Sequence, residues 1–106
     1  MKLNIKKKNY GCFTLYAKDN TIFLEGEIEE QNSNEALYSF FEEIRTLTID
    51  GLIKINIMNL VFINSSGICT IIHFLKKLKM ENKIEIIINK NKNWQKNSIA
   101  PLQSLD

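Results

Sequence analysis

Apolar and polar positions alternate at period two over the first third of the chain. Phe13-Thr14-Leu15-Tyr16-Ala17 alternates, Lys18-Asp19-Asn20 interrupts, and Thr21-Ile22-Phe23-Leu24-Glu25-Gly26-Glu27-Ile28 alternates again. Period two marks a strand with one buried face. Asp and Asn suit the turn between, because their short side chains bond nearby backbone and tolerate left-handed conformations. The two segments are expected to pair as a hairpin, with Glu25 and Glu27 facing away from Ile22, Leu24 and Ile28.

The period then lengthens. Asn32 followed by Glu35 is an Asn form of the capping box. Leu37, Phe40, Phe41, Ile44 and Leu47 recur at helical spacing, with Glu42, Glu43 and Arg45 on the other side, and Asp50-Gly51 closes the element. Leu52 to Ile57 is β-branched, with Ile53, Ile55 and Ile57 on one face, and reads as a buried strand. Met58-Asn59 is a turn candidate before the apolar Leu60-Val61-Phe62-Ile63. After Asn64-Ser65-Ser66-Gly67, Ile68, Ile71, Ile72, Leu75 and Leu78 repeat at helical spacing opposite Thr70, His73, Lys76 and Lys77. Lys76, Lys77 and Lys79 fall where positive charge suits the helix dipole. Lys83 to Asn89 reads as another strand, so the strand-helix-strand order predicts parallel pairing and a right-handed crossover. The tail beyond Asn89 has no clear period; Trp94 is expected to pin it to the body, and Pro101 suits the first turn of a short helix.

These elements predict a single α/β domain over residues 1–106, with a core spanning about 10–90 and a tail over 90–106. The expected order is β-β-α-β-α-β plus the short tail, in a mixed sheet with helices packed on one face. Composition agrees: 106 residues suit one core, and 44% hydrophobic with 25% charged is the globular average. A net charge of +2, from 14 basic and 12 acidic residues, argues against a nucleic-acid partner. The basic run Lys6-Lys7-Lys8 reads as a solvated arm. No apolar run approaches the ~20 residues of a bilayer span, and no apolar stretch follows the basic start as in a signal peptide. The expectation is a cytoplasmic protein without membrane insertion.

Cys12 and Cys69 lie far apart, outside any paired motif, and His73 is not spaced as a second ligand beside Cys69. Inert thiols are expected, with no metal and no disulfide. Asn64-Ser65-Ser66-Gly67 has the composition of a helix cap, with Gly easing a tight approach. It is not a phosphate-cradling loop. No acid or His stands near enough in sequence to activate either serine, so a catalytic triad is not expected.

The run from Ile53 to Leu78, Ile-Lys-Ile-Asn-Ile-Met-Asn-Leu-Val-Phe-Ile-Asn-Ser-Ser-Gly-Ile and then an amphipathic helix, resembles the STAS domain of anti-sigma-factor antagonists. That family's motif is a hydrophobic strand, a short link, and Asp-Ser-Ser-Gly-(Leu/Ile) opening a helix. The likeness is specific at Ser65-Ser66-Gly67-Ile68 and extends to element order over about residues 10–90. The tail, with Trp94, Gln95, Ser98, Leu102 and Gln103, is similar to a small bacterial STAS-like regulator subfamily in which Asn-Ser-Ser-Gly is usual.

The resemblance implies a bacterial signalling protein that is not itself an enzyme, carries no cofactor and regulates transcription by partner switching. Its implied partner is a serine kinase and anti-sigma factor of the histidine-kinase-like ATPase fold, which phosphorylates Ser66 in preference to Ser65. A PP2C-type phosphatase reverses the step. The implied partner surface is Asn64, Ser65, Ser66, Gly67, Ile68 and Cys69. Asn64 stands where the family motif has an acid, and Asn56 where the preceding strand has one. The family's final helix is mostly missing, which leaves the edge near Ile84–Ile88 less covered and allows a homodimer. One rival reading is an unphosphorylated STAS adaptor or scaffold subunit of a regulatory or transport assembly, with Ser65 and Ser66 only as caps. Another is a small-ligand or nucleotide-binding domain resting on one helix N-terminus.

Overall fold

The computed structural model describes residues 1–29 and 31–98. Among them are six strands and three helices: β1 (Ile5–Asn9), β2 (Phe13–Lys18), β3 (Thr21–Ile28), α1 (Gln31–Arg45), β4 (Ile53–Asn56), β5 (Leu60–Ile63), α2 (Ser65–Lys79), β6 (Ile84–Ile87) and α3 (Asn93–Ser98). The sheet runs β1-β2-β3-β4-β6, with β5 also paired to β3. β1, β2 and β3 form an antiparallel meander, while β4, β5 and β6 join in parallel. This is a mixed-sheet α/β domain, as expected.

The β2–β3 hairpin pairs Lys18 with Thr21 across Asp19 and Asn20. Those two residues adopt φ of 48° and 66°, the left-handed pair that a two-residue hairpin turn needs to match strand twist. Asn20 does more than turn. Its Oδ1 accepts from the Leu3 amide at 2.6 Å and its Nδ2 donates to the Asp50 carbonyl at 2.8 Å, tying the first residues to the link before β4.

Alternate strand residues enter one core. Phe13, Leu15, Ala17, Ile22, Leu24, Ile53, Ile55 and Ile84 are buried together with Leu37, Phe40, Phe41 and Ile44 of α1 and Ile71, Phe74, Leu75 and Leu78 of α2. Phe41 and Phe74 stack at 5.6 Å between the two helices. The opposite sheet face is open and carries Tyr16 and Phe23, whose rings stack at 4.5 Å, with the Lys7 ammonium 4.7 Å from the Tyr16 centroid. Burial, the hydrogen bond to Glu25 and that carboxylate's charge together raise the Tyr16 phenol pKa.

Several expectations shift in detail. Lys6-Lys7-Lys8 is not an arm but the middle of β1, an edge strand. Only Ile5 is buried in β1, so no alternation betrays it, and lysines at a sheet edge discourage docking of a further strand. Leu3 and Ile5 belong to the core. Helix α1 starts at Gln31, one residue before Asn32, whose side chain lies outside the described residues. It ends at Arg45, short of Leu47, where the amides of Thr46 and Leu47 turn back to the carbonyls of Glu43 and Ile44, the tighter pattern that closes many helices. Phe74, outside the predicted stripe, is fully buried. Pro101, Leu102 and Gln103 lie outside the described residues.

β4 and β6, connected through α2, pair in parallel as predicted, with Ile53 opposite Ile84 and Ile55 opposite Ile86. Between β4 and β5 the chain turns at Met58-Asn59, and β3 changes partner there: Thr21 to Phe23 pair with β4, Gly26 to Ile28 with β5, the latter with a register shift between Gly26 and Glu27. Gly26 has φ of 92°, and a Cβ on it would overlap the Cys12 carbonyl oxygen and approach Phe13 Cα to 2.9 Å. Only glycine fits both constraints.

Candidate functional site

The hydrophobic strand β5 ends in Ile63, which is buried, and the next residue turns the chain into α2. Asn64 takes the N-cap with extended backbone, φ −76° and ψ 169°. Its Oδ1 accepts the Gly67 amide at 2.8 Å, which satisfies one donor that the helix itself leaves without a partner. Its carbonyl accepts the Ile68 amide at 3.0 Å, the first bond of the helical ladder. The other half of the carboxamide works outward: Nδ2 donates to the Glu29 carbonyl at 2.9 Å. Its own amide donates to the Ile28 carbonyl at 2.9 Å. Asn64 therefore fastens the start of α2 to the end of β3 and the link that follows it.

Gly67 is buried for a steric reason. A Cβ there would meet Ile63 Cγ1 at 2.7 Å and Cδ1 at 2.9 Å. The first turn of α2 thus sits so close to β5 that a side chain there would force Ile63 to shift. Ser65 and Ser66 precede it, both exposed, and Cys69 is exposed one turn on. Ile68 is half-buried and packs against the core. The Ser66 carbonyl accepts the Thr70 hydroxyl at 3.0 Å. The residues named from the motif, Asn64 to Cys69, therefore divide by role. Asn64 and Gly67 build the turn, Ile68 anchors it, and Ser65, Ser66 and Cys69 face outward.

Chemically the site offers exposed primary hydroxyls at the positive end of a 15-residue helix. The amides of Ser65 and Ser66 have no acceptor one turn back within the helix. His73 is seven residues beyond Ser66 on the same helix, about 10 Å along the axis, and lies edge-on to Phe74. It is not placed to take a serine proton. The described residues display the Ser65 and Ser66 hydroxyls to solvent at the start of α2. Among the described residues no group of three His, Cys, Asp or Glu side chains is placed to hold a metal ion. Nor is any described helix long and apolar enough to cross a membrane.

Sequence reasoning missed a second polar centre at the other end of β5. Gln95, on α3, is completely buried. Its Nε2 donates to the carbonyls of Ile57 and Leu60, both at 2.9 Å, and its Oε1 accepts the Asn89 amide at 2.8 Å. It occupies the turn where β4 gives way to β5. Lys92 Nζ donates to the carbonyls of Met58 and Leu60 beside it. Trp94, the expected anchor, is only partly buried against the core, so the amide shares the work of pinning α3. No periodicity encodes a polar residue that is buried to satisfy backbone groups far away in sequence.

Comparison of the chain with protein-family models gives no match, and comparison with curated proteins gives none either.

Proposed function

We propose that the chain is a STAS-like protein-interaction module of the anti-sigma-factor antagonist type, switched by phosphorylation of Ser66. The observation that carries this reading is the division of labour at the start of α2. Asn64 performs the capping, so the exposed Ser66 hydroxyl has no part in building the turn. In the proposed step Ser66 Oγ attacks the γ-phosphorus of ATP held by a partner kinase. The bond to the bridging oxygen breaks, ADP leaves, and the serine proton passes to a general base of the partner kinase. The partner supplies the catalysis, so the chain is a substrate and ligand rather than an enzyme.

The physics of the switch is local. Phosphoserine adds about −1.5 to −2 charge and three acceptor oxygens. The first-turn amides and the helix dipole tolerate that charge, so the fold changes little. A partner surface matched to a neutral hydroxyl meets a bulky dianion instead, and repulsion with desolvation removes most of the affinity. The partner is a cytoplasmic serine kinase and anti-sigma factor of the histidine-kinase-like ATPase fold, opposed by a PP2C-type phosphatase.

The test uses Ser66→Ala and Ser66→Asp as baits beside the wild type in extract of the native host. Wild type and Ser66→Ala are expected to retain a serine kinase and Ser66→Asp to lose it, with melting temperatures within about 2 °C of one another. Equal retention by all three contradicts the proposal. One observation favours a second reading, an unphosphorylated adaptor in a larger regulatory or transport assembly. The Asn64 Nδ2 bond to the Glu29 carbonyl gives the amide a structural use that an acid cannot replace. In that reading the same surface binds a partner constitutively.

A further inference from the structure

We draw no further inference here: the strongest candidate, the open face of the sheet where Tyr16 and Phe23 stack beside Lys7 and line a cleft with Lys6 and Lys18, is a solvent-facing surface, and nothing in the structure shows what covers it.

Discussion

Two carboxamides bracket β5, and they differ in what surrounds them. Gln95 is completely buried and makes three hydrogen bonds with backbone, donating to the Ile57 and Leu60 carbonyls and accepting from the Asn89 amide. Asn64 is half-buried, accepts one from the Gly67 amide and donates one to the Glu29 carbonyl, and stands beside two exposed serines. Both join segments distant in sequence. Only one has reactive groups next to it that the fold does not use. A polar side chain whose every partner is backbone reports on stability. Exposed hydroxyls beside a turn already capped by another residue are free of that structural task.

The largest expected effect lies at the buried amide. Gln95→Ala leaves the Asn89 amide without its partner and takes from the Ile57 carbonyl one of its two donors, the Leu60 amide remaining, while Lys92 still reaches the Leu60 carbonyl. The expected loss is about 3 kcal/mol, a fall in melting temperature of roughly 12–20 °C for a chain of this size. Calorimetry checks it, and a change under 1 °C would show that the α3 latch contributes nothing.

Next comes the close approach at the exposed site. Gly67→Ala gains helix propensity but forces its Cβ against Ile63. A net loss of about 1–2 kcal/mol is expected. In an Ile63→Ala background the same substitution should cost less, only the Asn64 Oδ1 approach at 3.2 Å remaining, so a double-mutant cycle by denaturant unfolding isolates the Ile63 contact.

Asn64 itself should respond in graded fashion. Asn64→Ala removes the cap and the link to Glu29, for about 2 kcal/mol. Asn64→Asp keeps an acceptor for the Gly67 amide, adds charge that suits the helix start, and loses only the donor to Glu29, for about half as much. Equal losses would place all of the value in the outward bond.

The smallest effect is far from both amides. The folded state holds the Tyr16 phenol pKa above its ordinary value of ~10. The neutral form is the favoured one, so its contribution to stability is fully present below pH ~10 and is lost as pH rises through the folded pKa. Glu25→Gln removes a hydrogen-bonding and charged neighbour and should lower the phenol's titration midpoint, read by ultraviolet absorbance. An unchanged midpoint would leave burial as the whole cause.

The same contrast explains what could be read from the residues alone. The hairpin around Asp19-Asn20, the isoleucine faces of β4, and the cap at Asn64 are local: each is encoded within a few residues by period or turn chemistry. Strand β1 escaped because an edge strand rich in lysine has almost no buried face to alternate. Phe74 escaped because α2 buries a wider face than its isoleucine stripe, its ring lying against Phe41 of α1. Gln95 escaped because its partners are 6, 35 and 38 residues away. At the candidate site the serines were legible as a motif, but their freedom was not. That depends on Asn64 reaching both Gly67 and Glu29, a tertiary fact.

The central claim is that Ser66 is a phosphorylated switch. The most direct measurement recovers the protein from its native host under several growth conditions and maps the peptide spanning residues 55–76 by mass spectrometry. The account predicts phosphate on Ser66, not Ser65, in amounts that vary with condition. An unmodified Ser66 under every condition would contradict it and leave the constitutive adaptor as the reading to pursue.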